Sequence, residues 1–146
     1  DTMRMETGYL HWGHDMSAEE NQYQAGLQFA ISYKKNIDFI GKQALLKIKD
    51  QKPTKRLLMF TLDDSKPGYP LMLHDEPIYL NDKIIGRTTS SNYSFYFNKN
   101  LAYGYVTSEN SAQTLKDKNI FIEIEKKKFA ATVLTKSLND KNLKNI

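Results

Sequence analysis

The feature that most constrains the fold is a series of short segments in the second part of the chain that are rich in β-branched and aromatic residues. Segments of this length and composition are typical of strands. The six segments cover residues 57–62, 78–80, 83–89, 101–106, 120–125 and 129–135. Six short strands joined by hairpin-length connections predict a small antiparallel barrel or a β-sandwich.

Two of the connections carry specific hairpin signals. Asn81 and Asp82 separate the second and third segments, and both residue types tolerate the positive φ of a type I′ turn. Lys126 and Lys127 divide the last two segments in the same way. The spacing therefore predicts two tight hairpins between sequential strands.

The first 35 residues show a less regular pattern. Residues 1–15 mix aromatic residues, glycine and histidine, which predicts a short helix or turn followed by irregular structure. Ser17 precedes Glu20 by three positions, the capping-box spacing that predicts another short helix. Leu27, Phe29 and Ile31 alternate with smaller or polar residues, which predicts a strand.

A change of pattern near residue 54 predicts a domain boundary. Between residues 39 and 50, apolar residues recur at helical spacing, which predicts an amphipathic helix packed on a core, and Pro53 follows it. We therefore expect an α+β fragment over residues 1–53 and a mainly-β domain, the six-stranded antiparallel barrel, over residues 54–146. The polar residues 139–146 are expected to form a partly ordered tail.

Composition excludes several classes of function. The chain of 146 residues contains no cysteine, so a disulfide framework, a thiolate metal site and a catalytic thiol are excluded. No uninterrupted apolar run is long enough for a transmembrane helix, so no membrane association is expected. The net charge of +4 comes from dispersed lysines, which disfavours nucleic-acid binding.

Few groups of residues could form a catalytic, metal-binding or ligand-binding site. His11, His14 and Asp15 lie close in sequence, but without a further ligand motif they do not predict a metal site. Glu123 and Glu125 share one strand face, which indicates a solvated surface. The aromatic stretch 93–97 could stack on a nucleobase or a pterin, or it could form part of a barrel core and rim.

A longer pattern covers most of the chain. It runs, loosely, R-D-x-x-R-x-E-x-G-Y-x-x-W/Y-G-x-D, then E-A-G-L, then D-F-I-G-K/R-x-A-L, with G-x-x-T-S and I-A-L-G-Y-V further on. The matching positions are Asp1, Arg4, Glu6, Gly8, Tyr9, Trp12, Gly13, Asp15 and residues 25–27, 38–41, 86–90 and 101–106. With this pattern the chain resembles the folate-dependent aminomethyltransferases, typified by the glycine cleavage T-protein and including the C-terminal parts of dimethylglycine and sarcosine dehydrogenases.

The resemblance implies a larger parent protein. In this family a folate-binding domain precedes a six-stranded barrel, and a catalytic carboxylate assists transfer of a one-carbon unit to tetrahydrofolate. The motif begins at residue 1 and Asp1 stands in place of an initiator methionine, so we expect the chain to be a C-terminal fragment that lacks this carboxylate. FAD would be bound by a further N-terminal domain if the parent belongs to the dehydrogenase branch.

Two residues are carried over as folate-binding candidates. Tyr9 matches a folate-contacting position of the family, and Trp12 is expected beside it in the pocket wall. Arg4 and Glu6 also match the pattern, although a pair that braces the turn would explain them equally well.

Three positions depart from the family pattern. Gln22 and Gln24 replace the usual Pro and Glu, and Ser91 replaces a Gly. Because Gly permits dihedral angles that Ser adopts only at a cost, Ser91 puts the one-carbon donor specificity in doubt.

The resemblance also implies partners. These are folate, the N-terminal domain and a lipoyl carrier protein. Separately, strands missing beside Leu27, Phe29 and Ile31 would leave an exposed edge at residues 27–33, through which we expect a second copy to join. The expected location is the cytoplasm, or the mitochondrial matrix in a eukaryote. Two alternatives remain open, in which the barrel is a protein docking module or a nucleic-acid binding module.

Overall fold

A computed structural model describes residues 2–35, 37–107 and 109–135, and in it a closed six-stranded barrel accounts for most of the regular structure. All strand pairs are antiparallel, and the order around the barrel is β1-β4-β3-β2-β5-β6. The strands are β1 Lys55–Leu62, β2 Pro77–Leu80, β3 Lys83–Ser94, β4 Lys99–Thr107, β5 Ile120–Ile124 and β6 Lys127–Val133. The prediction of a six-stranded antiparallel barrel is confirmed, and closure decides against the sandwich.

Alternation along the strands places one set of side chains inside the barrel. On β5, Ile120, Ile122 and Ile124 are buried in the core, whereas Glu123 between them lies on the opposite face, as predicted. Phe60 of β1 is fully buried in the same core. A short helix, α3 (Ala112–Leu115), contributes Leu115 to it. The hydrophobic alternation in the sequence therefore corresponds to a single interior.

The two hairpins differ in detail from the prediction. Asn81 has a φ of 54°, but Asp82 is not among the residues with positive φ, so the β2–β3 turn is not of type I′. In the β5–β6 turn the two central residues are Glu125 and Lys126, with φ of 49° and 63°, so the turn lies one residue earlier than the sequence suggested.

Two glycines allow adjacent barrel strands to approach closely. A β-carbon on Gly86 of β3 would lie 1.9 Å from the carbonyl oxygen of Tyr105 on β4, and one on Gly104 of β4 would lie 2.8 Å from the carbonyl oxygen of Arg87 on β3. Neither space can accept a side chain, so both positions are restricted to glycine by packing.

A bulge in β3 shifts its register against β4. Thr88 pairs with Gly104 and Ser90 pairs with Tyr103, so Thr89 is the extra residue of the bulge. Ser91 lies just beyond it in regular strand, without a positive φ. The expected cost of replacing Gly by Ser therefore does not arise at this position.

The part of the chain before the barrel is not α+β in the described residues. It contains α1 (Thr2–Glu6), a 3₁₀ helix (Gln28–Ala30) and α2 (Lys42–Ile48). The strand predicted from Leu27, Phe29 and Ile31 is wrong, because no neighbouring strand is present to hold that segment extended. The exposed strand edge expected at residues 27–33 is consequently not formed.

Two helix predictions in this part also need correction. Residues 17–20 form turns rather than a helix, although Glu20 accepts hydrogen bonds from the backbone N–H and the hydroxyl of Ser17, both at 2.9 Å. The helix predicted over residues 39–50 is confirmed only for Lys42–Ile48, and none of its residues is buried. Its apolar face therefore does not pack on a core among the described residues.

The start of the chain packs on the outside of the barrel. Met5 of α1 is fully buried against Leu101 and Tyr103, the outward-facing residues of β4. The backbone N–H of Leu57 also donates to the carbonyl of Gln24 at 2.8 Å. These contacts attach the first segment to the barrel, and the division into domains at residues 53 and 54 stays a prediction.

None of the helices in the described ranges has both the length and the apolar character needed to cross a membrane. The tail predicted for residues 139–146 lies outside the described residues.

Candidate functional site

The loop that contains the sequence motif is organised around Asp15, which is fully buried. Its carboxylate accepts hydrogen bonds from Arg4 Nη1 at 2.6 Å, from the His11 backbone N–H at 2.9 Å and from Thr89 Oγ1 at 2.6 Å. A buried carboxylate requires this number of donors to offset the loss of hydration. Asp15 therefore fixes the loop and is not free to act as a metal ligand.

Two barrel residues anchor this loop. Thr89, the extra residue of the β3 bulge, donates to the carboxylate of Asp15, and the hydroxyl of Tyr105 on β4 donates to its carbonyl oxygen at 2.9 Å. A further hydrogen bond joins Ser94 Oγ to Glu6 of α1 at 2.5 Å. The motif is thus held on β3 and β4 by side-chain hydrogen bonds.

An ion pair makes a second attachment. Lys55 Nζ lies 2.6 Å from Glu20 Oε1 and also sits over the ring of Tyr105, 4.6 Å from its centroid. The hydrogen bond from Lys55 is the largest cause that holds the pKa of Glu20 below its ordinary value of 4.5. Glu20 is therefore ionised at neutral pH.

The tyrosines beside this loop are proton donors rather than bases. Burial, followed by the charge of Asp15, raises the pKa of Tyr103 to about 12. Burial also raises the pKa of Tyr105, with Glu20 and Asp15 contributing in the same direction. Neither phenol can act as a phenolate base near neutral pH.

Tyr9 lines a cavity of about 790 Å³. Because its wall also includes Leu10, Phe29, Met59 and Tyr103, we call it the apolar cavity. The Tyr9 side chain is 69% exposed, and its backbone carbonyl accepts a hydrogen bond from Arg4 Nη1 at 3.0 Å. Its backbone is therefore held in place while its ring stays accessible.

Trp12 does not line the apolar cavity. Its side chain is 64% exposed, and its backbone forms an isolated bridge with Met16. The structure brings Tyr9 and Trp12 onto one anchored loop but not into one cavity of this chain. Their assignment to a folate pocket stays a prediction.

A second cavity, the polar cavity, has a volume of about 560 Å³ and lies between the motif loop and strands β1, β3 and β4. Asp75 lies in its wall, 3.0 Å from His74 Nδ1 and 3.6 Å from Arg87 Nη1. Lys55 and Glu20 line it as the ion pair described above. Sequence analysis missed this cavity because its walls come from five separate parts of the chain.

The histidines of the motif do not form a metal site with their neighbours. The rings of His11 and His14 lie 4.5 Å apart between centroids, and the Asp15 carboxylate is bound by Arg4 and Thr89. Within residues 2–35, 37–107 and 109–135 there is no group of three His, Cys, Asp or Glu side chains placed to hold a metal ion.

Comparison with known families identifies the barrel. Residues 55–140 match the family model described as the glycine cleavage T-protein C-terminal barrel domain. The chain belongs to this family. The match begins at the first residue of β1, and the family resemblance predicted from the sequence is confirmed.

Relatives of the T-protein barrel extend the similarity over the motif loop. Human mitochondrial dimethylglycine dehydrogenase is 34% identical over 140 residues, which cover 94% of this chain and 15% of the human protein. The aminomethyltransferase of Listeria innocua is 37% identical over 134 residues, which cover 92% of this chain and 35% of that protein. The chain thus spans about a third or less of the length of these relatives.

A solved structure shows the same fold. The glycine cleavage system aminomethyltransferase T from Bartonella henselae matches with a TM-score of 0.79 and 22% identity, covering 97% of this chain and 38% of that one. The shared architecture therefore includes the segment before the T-protein barrel as well as the barrel.

Proposed function

We propose that this chain is the C-terminal part of a tetrahydrofolate-dependent enzyme that transfers a one-carbon unit in glycine, dimethylglycine or sarcosine catabolism. Its motif loop would border the folate pocket, and the barrel would cap it. The catalytic carboxylate would lie in the upstream domain, so the chain would not be catalytic alone. In the dehydrogenase branch, a further N-terminal domain would bind FAD.

The observation that carries this proposal is the contrast within the motif loop. Asp15, at its end, is completely buried and bonded to the barrel, whereas the rings of Tyr9 and Trp12 are mostly exposed. Large aromatic side chains on a fixed backbone can bind a flat ring by stacking at a small cost in conformational entropy. Membership in the T-protein family supports a pterin as that ring.

Calorimetric titration of tetrahydrofolate into the longer protein, with the upstream domain present, tests the proposal. We expect Tyr9→Ala and Trp12→Ala each to weaken binding roughly tenfold, because stacking of one ring contributes about 1 to 3 kcal/mol. Tyr69→Ala is the matched control, since Tyr69 is also partly exposed but lies outside the motif loop, on the β1–β2 connection. Unchanged affinity in both motif variants would rule out the assignment of this loop to the folate pocket.

The isolated chain provides a second arm of the experiment. Trp12 is the only tryptophan, so its fluorescence reports on this loop alone. We expect tetrahydrofolate to leave the fluorescence of the isolated chain unchanged, because the part of the pocket formed by the upstream domain would be missing. High-affinity quenching of the isolated chain would contradict the proposal that the upstream domain completes the site.

The proposed partners follow from the same function. They are folate, the upstream domain, and a lipoyl carrier protein if the parent takes part in glycine cleavage. The human and mouse dimethylglycine dehydrogenases carry the word mitochondrial in their names, which supports a location in the mitochondrial matrix if the source is a eukaryote. The docking alternative predicts binding of a protein partner that survives Tyr9→Ala, whereas the nucleic-acid alternative predicts binding of oligonucleotides that weakens steeply with salt.

A further inference from the structure

A third cavity, of about 460 Å³, lies where the first segment, the end of α2 and the start of β1 meet. It shares no lining residue with the polar or the apolar cavity. Six of its seven lining residues carry a cationic, phenolic or amide group, and the seven are Tyr23, Gln28, Tyr33, Lys49, Gln51, Pro53 and Arg56. We call it the cationic cavity.

Arg56 contributes a buried donor without a partner. Its Nε atom is buried and has no hydrogen-bond partner in the described part of the chain. A buried N–H group that makes no hydrogen bond loses its hydration without replacement, and such groups are rare in folded proteins. Because Nε is closed off from solvent, a ligand in the cavity would bind the terminal nitrogens of the Arg56 guanidinium.

Lys49 supplies a second positive charge. Its Nζ atom lies over the ring of Tyr33, 5.3 Å from the centroid. Neither Lys49 nor Arg56 forms an ion pair with a carboxylate in the described residues. The positive charge of this cavity is therefore not neutralised by a bonded acidic side chain.

A pair of tyrosines adds hydroxyl groups. The hydroxyl oxygens of Tyr23 and Tyr33 lie 2.5 Å apart. Burial raises the pKa of Tyr23 to about 12, with smaller contributions from Tyr33 and from the nearby carboxylate of Asp50. A pair of neutral phenols uses one of its two O–H groups internally, so the other can donate to a ligand.

We propose that the cationic cavity binds a small oxyanion, a carboxylate or phosphate group, between Arg56, Lys49 and the tyrosine hydroxyl pair. The planar guanidinium presents its two terminal nitrogens side by side, a geometry that matches two oxygens of such a group. Lys49 adds a point charge. This site is independent of the proposed folate pocket, because it contains neither Tyr9 nor Trp12.

The Nε–H resonance of Arg56 in a ¹⁵N-labelled sample of the chain is a direct probe. Inorganic phosphate and succinate are titrated separately against sodium chloride at equal ionic strength. We expect one or both anions to shift this resonance with saturation, whereas Arg87, which is exposed in the polar cavity, shows no saturable change. Saturation by only one anion would identify whether the site prefers phosphate or carboxylate.

Matched variants then test the named residues. Lys49→Ala should lower the affinity for the anion about tenfold. Lys47 is an exposed residue of α2 that does not line the cavity, so Lys47→Ala should leave the affinity unchanged. Arg56→Lys keeps the charge but removes the planar pair of terminal N–H donors, and should weaken anion binding as measured on the ring resonances of Tyr23 and Tyr33. A linear, unsaturated response to both anions, or equal loss in the two lysine variants, would overturn the proposal.

Discussion

The barrel and the segment before it are stabilised in different ways. The barrel closes on itself, and its interior is a continuous apolar core contributed by strands and α3. In the first segment, by contrast, α2 has no buried residue, and Phe29, Ile37 and Ile40 are largely exposed. That segment is attached mainly through Met5, the Asp15 network and the ion pair of Glu20 with Lys55.

The two regions differ in whether they need contacts with another part of a protein to complete their sheet or their core. The barrel satisfies its own strand edges by closure, so it needs no partner to complete its sheet. The first segment leaves a group of apolar side chains without a core in the described residues, around a cavity of about 570 Å³ that Ile31, Phe39 and Leu45 help to line. We therefore expect the two regions to respond differently to mutation.

The largest effect is expected in the barrel core. Phe60→Ala should lower the free energy of unfolding by about 3 to 5 kcal/mol, because it removes a fully buried ring and leaves a cavity. Urea denaturation followed by circular dichroism measures the change. Phe95→Ala, at a largely exposed position, is the control and should lie within about 0.5 kcal/mol of the unmodified chain. Comparable losses in the two variants would contradict the described core.

The Asp15 network should come next. Asp15→Ala removes the acceptor shared by Arg4 and Thr89 and should cost about 3 kcal/mol, the lower end of values for breaking a buried ion pair. Hydrogen exchange should show faster exchange in residues 4–16 with little change in β5 and β6. Asp64→Asn, an exposed position, is the control. Uniform loss of protection throughout the barrel would show that the two regions unfold as one unit.

Two methionines of α1 provide a matched pair. Met5→Ala should destabilise the attachment of α1 by about 2 to 3 kcal/mol, because Met5 is fully buried against β4, whereas Met3 is 81% exposed and Met3→Ala should have no measurable effect. Hydrogen exchange measured on residues 2–9 distinguishes the two variants. An equal response of the two variants would exclude the packing of Met5 described above.

The smallest effect is expected for the ion pair of Glu20 and Lys55. Because Lys55 is partly exposed, Glu20→Gln should cost below about 1 kcal/mol at pH 7. The folded-state pKa of Glu20 is lowered, so this contribution is present above pH 4.5 and is lost as the pH falls through the folded-state value. Stability measured from pH 7 to pH 3 should therefore converge for the two proteins below pH 4.5.

Glu19→Gln is the control for that comparison, since Glu19 is adjacent in sequence and exposed. Glu19→Gln should leave the dependence of stability on pH unchanged between pH 7 and pH 3. A difference between Glu20→Gln and the unmodified chain that persists at pH 3 would point to a role other than the ion pair.

The strands were predictable because each has a strong local signal. Alternation around Ile122 indicates a strand with one buried face, and the short apolar run around Phe60 indicates another; both lie in strands. The prediction from Leu27 and Phe29 used alternation as well and was wrong. Alternation produces a strand only when a neighbouring strand supplies backbone hydrogen bonds, and the described residues supply none there.

The candidate site was only partly predictable. Tyr9 and Trp12 were found through the family pattern, and their role in folate binding stays a prediction. The polar cavity and the cationic cavity were not found, because their walls combine residues that are distant in sequence. Arg56 in particular has no sequence signal that separates it from a surface arginine.

The sequence by itself determined that the chain belongs to the T-protein family and that it contains six antiparallel strands, since both depend on residue types at fixed spacing. Only the tertiary structure decided what Asp15 does. Its hydrogen bond to Thr89 joins residues 74 positions apart, and its bond from Tyr105 spans 90 positions. Such contacts depend on barrel closure and on the β3 bulge, which no local pattern specifies.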